Sequence, residues 1–419
     1  MTSRLLGALR EGIVGFGVAR WIIVAFLGVI WIVAATATDE NLGKLLGDCL
    51  VRSGMNGVLV LALLLPVRAG NGLNFGLPLG IVCGLVGGVV GMEFVAASPF
   101  GMFSTHEALA RGWSGFFFAH LVALPLAAVC GLLFGWLLER VRGQEMMVGI
   151  YVGFGAIAFM CVVWLLIPVR SPELVLPIGG KGVRQTVLID DYYTRILDHW
   201  PRSTEEGAGG IENALHALFD FGTQEPAARG DGDRDAAAVV ARSWVPHRNY
   251  TGFFVPVGLL IYWALACTLM GLFLRTRLGV AMSTAGANPQ YARSIGISVP
   301  RMRIGATAIS TVLGAAGILV YSQSYGFYQL YKAPLWMAFQ IVAALLLGGA
   351  SLRKATVFHV VLGTLLFQSL LTTSLPVVND LVEGSEYASS LSNLPEIARL
   401  MIQNGVILYA LTRVTGGRR

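Results

Sequence analysis

Ten apolar runs divide this chain, at residues 20–38, 53–67, 73–95, 114–138, 147–168, 252–274, 304–325, 334–350, 355–375 and 397–412. A bilayer core of about 30 Å takes about 20 helical residues to cross, and most of these runs reach that length. The second and eighth are short. In lipid every backbone N–H and C=O must find a partner within the protein, so runs of this kind become helices or closed barrels. Their continuous, non-alternating apolarity selects helices. The composition agrees, since 55% of the 419 residues are hydrophobic and 13% charged, with a mean hydropathy of +0.68. The expected fold is therefore an all-α polytopic membrane protein of ten transmembrane helices.

The Lys and Arg residues set an orientation. With the N-terminus inside, inner segments carry 16 of them and the short outer segments 5 (Lys44, Arg52, Arg111, Lys332 and Arg399). That is the asymmetry of the positive-inside rule. Both termini are expected in the cytoplasm. The net charge of +6 then reflects topology and calls for no nucleic-acid partner. The first apolar run reads as a membrane span and not as a cleaved signal. Cys49, Cys83, Cys130, Cys161 and Cys267 fall in or beside apolar runs without C-x-x-C spacing, so they read as packing residues.

Residues 169–250 break the pattern. They hold 9 Lys or Arg and 12 Asp or Glu, a net −3 against +9 for the rest of the chain. The orientation places them outside, as an extracytoplasmic insert between residues 1–168, with five spans, and residues 251–419, with five more. "DDYYTRILDHW" and "GGIENALHALFDFG" read as helical pieces. We expect a helical subdomain on the outer face, with Asp190, Asp191, Asp198, Glu205, Glu206 and Glu212 in its first half.

Glycines cluster in "GLPLGIVCGLVGGVVGME", where Gly80, Gly84 and Gly88 recur every four residues and Gly87 and Gly91 form a second pair. Such ridges let helix backbones approach closely in lipid. The longest inner loop, 276–303, is polar and punctuated. Asn288 is a good N-cap, Pro289 suits the first helical position, and Gly296 is a stop, which predicts a short helix over 289–295. Upstream, Leu278, Ala281, Met282 and Ala285 recur at helical spacing and predict a first short helix. Two brief helices make a compact knob at the lipid head groups.

"AGANPQYARSIGI" resembles the cytoplasmic loop of permease subunits in ABC importers of the ribose, nucleoside and branched-chain amino acid type. Gly286, Asn288, Ala292, Arg293, Gly296 and Ile297 match that pattern, and Tyr291 stands where Ala is usual. "AGNGLNFGLPLG", "GQEMMVGIYVGFGAIA" and "AALLLGGASL" resemble further stretches of the same family. The acidic residue common after the first is absent, and "RKAT" replaces the glycine-rich continuation of the last. The resemblance implies that Gly286, Asn288, Pro289, Ala292, Arg293 and Gly296 belong to a loop that couples to a separate ATPase subunit. It also implies a second permease subunit, the same or homologous, an extracytoplasmic binding protein, and a bacterial or archaeal cell membrane. The chain has no G-x-x-x-x-G-K-[ST] loop, so ATP is expected on the partner. No cofactor, metal or enzymatic activity is expected of this chain.

Other classes are weaker. A secondary transporter would carry intramembrane ionisable groups, and only Glu93 and His120 come near. A membrane enzyme built on the insert would rest on Asp190 and Asp191, without a nucleophile and base pair. A purely structural membrane subunit is the third alternative. For the solute, Asn74, Phe75, Gln323, Tyr325 and Gln340 are expected along a central path between two permease halves. Aromatic faces with amides suit neutral polar solutes, favouring a sugar or nucleoside, with a branched-chain amino acid as the alternative. An interfacial aromatic belt would leave the same signature in "YSQSYGFYQLYKAPLWMAFQ".

Overall fold

The computed structural model describes residues 27–29, 31–35, 42–97, 108–166, 186–189, 197, 255–351, 354–383, and residues 397, 401, 404, 405 and 408. Among these, seven helices are long and apolar enough to cross a membrane, and an eighth apolar helix is shorter. Eight of the ten runs therefore stand as helices. The first and tenth fall mostly outside the described residues.

The helices are α1 (Leu42–Ala62), α2 (Leu64–Ala69), α3 (Leu77–Ala97), α4 (Ala108–Arg140), α5 (Glu145–Leu166), α6 (Val257–Arg275), α7 (Arg277–Ala287), α8 (Pro289–Ser294), α9 (Val299–Tyr325), α10 (Ala333–Leu347) and α11 (Val357–Glu383). Two strands, β1 (Thr186–Leu188) and β2 (Phe327–Gln329), pair antiparallel, with Val187 opposite Tyr328.

The second run is longer than its apolar stretch. Helix begins at Leu42 and carries Lys44 and Arg52 within α1, where the sequence placed them in an outer segment. Pro66 has no N–H for the Ala62 carbonyl and its ring clashes there, so the rod parts at Leu63 into α1 and α2. The third run starts later than its hydropathy, because residues 70–76 are not helical. The eighth is short in the structure too, since 15 residues of α10 extend only about 22 Å.

Small residues set the centre of the bundle. A Cβ on Gly80 or Gly84 would meet the backbone of α9 at Thr311 or Ala315, and one on Gly88 would meet the Tyr328 ring. Gly87 and Gly91 face Ala119 and Ala123 of α4, while Gly131 and Gly135 of α4 face α9 at Ala308, Thr311 and Ile304. Thus α3, α4 and α9 meet pairwise at near-backbone distance, the packing lipid favours when apolar burial gives no preference between protein and solvent. Helices α5 and α6 lie at the periphery, with exposed Tyr151, Phe159, Leu265 and Leu269. A side chain ties residues 31–35 to the bundle, Trp31 Nε1 donating to Ser369 Oγ at 2.7 Å.

The two ends of the bundle differ. The α7–α8 knob, Arg68, Arg142 and Ala355 share one end, and the β1–β2 ribbon lies at the other. β1 belongs to the 169–250 segment and β2 follows α9, so the described residues of that segment, 186–189 and 197, lie at the end opposite the knob. The expected helical pieces of the insert lie outside the described residues. Those that are described form a strand and the buried Leu197.

Candidate coupling knob and solute cleft

The knob is built from local signals. Thr276 caps α7, its hydroxyl accepting from the Gly279 N–H at 3.3 Å. Asn288 ends α7 in extended backbone and caps α8, its side-chain oxygen accepting from the N–H groups of Gln290 (3.1 Å) and Tyr291 (3.0 Å). Pro289 takes the first helical position, and α8 stops at Gly296, whose φ of +83° is left-handed. Helix α8 covers 289–294, with Ile295 as its cap.

Ala285, Ala292 and Val299 form a small apolar core inside the knob, with Ile297 and Met302 against it. The stripe inferred for α7 needs one correction. Met282 and Ala285 are buried but Leu278 is exposed, because Gly279, not Leu278, is the residue that faces the turn at Phe273 and Leu274. Arg293, Tyr291 and Ile295 project outward, the last two 56% and 52% exposed. Tyr291 and Ile295 form an exposed pair at i and i+4, away from the membrane-spanning helices.

The knob is also seated. Helix α2 ends in a Schellman turn, with Gly70 at φ +82° and the N–H of Asn71 returning to the Pro66 carbonyl at 2.9 Å. Gly286 lies against this turn. A Cβ there would fall 2.7 Å from the Ala69 carbonyl carbon and Gly70 nitrogen, and nearer still to the Arg68 carbonyl oxygen. Arg68 holds the joint, donating from Nε to the Ala355 carbonyl at 2.9 Å and from Nη1 to Ser283 Oγ at 3.5 Å. Glu139, at the end of α4, pairs with Arg142 and stands 4.0 Å from the Arg303 guanidinium of α9. Arg68 ties α7 of the knob to the entry of α11, and the Glu139–Arg303 pair links the ends of α4 and α9 nearby.

Residues 70–76 then run into the bundle. The Asn71 amide donates to the Arg303 carbonyl (3.1 Å) and to Thr307 Oγ1 (2.9 Å). Asn74 Nδ2 donates to Ser310 Oγ at 3.0 Å, and its Oδ1 accepts from the Gly76 N–H at 3.0 Å. Ser310 lies about 16 Å along α9 from its first residue. Non-helical backbone at such depth is tolerated only when protein satisfies it: the Asn74 side chain takes the Gly76 N–H, and the Asn71 and Phe75 N–H groups bond the Pro66 and Leu73 carbonyls. Phe75 comes next, its ring centroid 6.1 Å from that of Phe339 on α10. Phe75, Pro78, Ile150, Phe154, Leu335 and Phe339 line an apolar cleft between α3, α5 and α10. In this conformation the cleft has room for about one water and none for a solute.

The remaining path residues sit elsewhere. Gln323 is fully buried, its Oε1 accepting from the Leu197 N–H at 3.2 Å and its Nε2 donating to Ser324 Oγ. Tyr325 packs between Tyr321 and Phe327 under the ribbon. Gln340 is half-buried on α10, and Trp336 is exposed. The sequence thus brought Asn74 and Phe75 to the cleft region but distributed Gln323 and Tyr325 to the ribbon. It missed Arg68, Asn71, Ser310 and Phe339, whose importance depends on partners distant in the chain. His120, one of two intramembrane ionisable candidates, has its Nδ1 2.8 Å from the Phe116 carbonyl and its Nε2 3.5 Å from the Tyr262 hydroxyl.

A glycine-packed helical bundle with a capped two-helix knob at one end and a narrow apolar cleft between α3, α5 and α10 has the form of a multi-pass membrane protein. The model of the branched-chain amino acid transport system permease component family matches residues 46–409, and the chain belongs to that family. Among the curated proteins and the solved structures, no match is found.

Proposed function

We propose that the chain is the membrane subunit of an ATP-driven importer, with the 276–303 knob docked in a groove of a separate ATPase subunit. The observation that carries this is the seating of the knob. Its outer side presents Tyr291, Arg293 and Ile295, and its inner side rests on Arg68–Gly70, whose contacts reach Ala355 and α9. A push on the outside is therefore delivered to several spans together, as alternating access needs. The knob end faces the cytoplasm of a bacterial or archaeal cell, and a second permease subunit and a binding protein on the insert side complete the assembly.

For the solute, the apolar lining supports a small neutral molecule with an aliphatic or aromatic portion. The family's own description names a branched-chain amino acid, and a nucleoside or sugar is the second reading. The experiment is isolation of the tagged chain from its own membrane. An ATPase should come with it, and Tyr291→Ala with Arg293→Ala should release that ATPase while leaving the membrane subunit folded. A chain that purifies without any ATPase overturns the reading. A thermal-shift screen of the cognate binding protein against amino acids, nucleosides and sugars decides the solute.

A further inference from the structure

We infer that residues Gly70–Gly76 form a lever that carries knob movement directly to the solute cleft, with Asn71 and Asn74 as its positioning residues. This goes deeper into the proposed function and rests on it for the source of the push.

The two ends of the segment are the argument. At one end Gly70 touches the knob, a Cβ there standing 3.0 Å from the Gly286 Cα. At the other, five residues on, Phe75 makes a tilted ring contact with Phe339 and lines the cleft. No helix intervenes that could absorb displacement by bending, and Gly76 is wedged against Phe134. The segment runs along α9, and each asparagine fixes it there by a different bond, Asn71 to the Arg303 carbonyl and Thr307, Asn74 to Ser310. Gly149 and Gly153 of α5 lie against the Phe75 backbone, where Cβ atoms would approach Gly76 N at 3.3 Å and the Phe75 carbonyl oxygen at 3.2 Å. A shift of the segment by a fraction of an ångström therefore has to move α5 or open the cleft, since close-packed interiors transmit displacement.

The left-handed Gly70 and Gly72 (φ +74°) are what let the chain leave α2 and enter the bundle without helix. Gly70 sits on the knob side of both asparagines and Gly72 between them. The pivot is thus at the glycines, and the moving arm is Leu73–Gly76.

The test places p-cyanophenylalanine at position 75 in the full chain and reads its nitrile stretch, which responds to local polarity. Gly286→Ala presses a Cβ into the Arg68 carbonyl, so the band should shift relative to the parent, while Thr284→Ala on the same helix should leave it in place. If Gly286→Ala does not fold, Arg68→Lys, which loses the Nε bond to Ala355, reads the same joint. In the second arm, the chain carrying its copurified ATPase is trapped with ATP and vanadate. The band should shift in the parent and stay fixed in Asn71→Leu, although the complex remains assembled. An unmoved band in both Gly286→Ala and Arg68→Lys, or a retained nucleotide response in Asn71→Leu, overturns the lever. Absence of a copurifying ATPase strikes the proposed function instead, and the first arm still decides the lever.

Discussion

Gln323 on α9 accepts a hydrogen bond from the backbone N–H of Leu197, 126 residues away and inside the acidic insert. With the Ile189 N–H bonding the Gly326 carbonyl at 3.0 Å and β1 paired to β2, this bond straps residues 186–189 and 197 of the insert to the C-terminal end of α9. Val187, Ile189 and Leu197 are buried in the same apolar cluster as Tyr328, Val89 and Met92. The insert is rooted in the bundle.

Gln323→Ala should loosen that strap. Leaving the Leu197 N–H unpaired in a buried site costs about 1–3 kcal/mol, which corresponds to roughly five- to 150-fold faster amide exchange at Val187 and Ile189 by local opening. Hydrogen exchange read by mass spectrometry checks this. Unchanged protection at both residues would show that the glutamine does not anchor the insert.

The same strap alters what deletion of the insert should do. Removing 170–249 takes away β1 and Leu197 and uncovers Tyr328, so thermal stability should fall. Removing only 201–248 keeps the strap, and the membrane part should then retain its melting temperature. If binding-protein delivery in the shorter deletion becomes slower and loses its salt dependence, the acidic segment orients docking. Uptake kinetics unchanged across ionic strengths would remove that role from Glu205, Glu206 and Glu212.

Gly296→Val should damage coupling through the backbone alone. Nothing lies within 4 Å of a Cβ at this position, so the cost is that of a branched residue at φ +83°, on the order of 1–2 kcal/mol. Uptake and stimulated ATP hydrolysis should drop together while the chain stays in the membrane, and Gly296→Asn should recover most of both, because asparagine tolerates this conformation. Normal pumping by the valine protein would mean that α8 does not need its stop.

Asn74→Ala removes two bonds at once, to Ser310 and to the Gly76 N–H. We expect a loss of roughly 1–3 kcal/mol, seen as a lower melting temperature, together with impaired uptake at near-normal basal ATP hydrolysis. Ser310→Ala keeps the bond to Gly76 and should be milder. Equal effects from the two substitutions would assign the whole contribution to Ser310.

How far the sequence reached depends on the distance over which each signal acts. The apolar runs, the Asn288 cap, Pro289 and the Gly296 stop operate within a few residues through hydrogen bonds and allowed φ, and each appears in the structure where its residues stand. Membrane insertion is likewise a property of a single segment, which is why hydropathy alone gave eight of the spans. What the tertiary structure decided lies between segments. The glycine ridges promised close packing, but only assembly chose α9 for Gly80 and Gly84 and α4 for Gly87 and Gly91. Nothing near Arg68 or Asn71 in the chain announces Ala355, Arg303 or Thr307 as partners, since those contacts span 232 to 287 residues. Gln323 and Asn74 looked alike as polar residues in apolar runs, and one became a strap for the insert while the other became a pin for a lever. A buried amide must find a partner, but which partner it finds is fixed by how the helices stack around it.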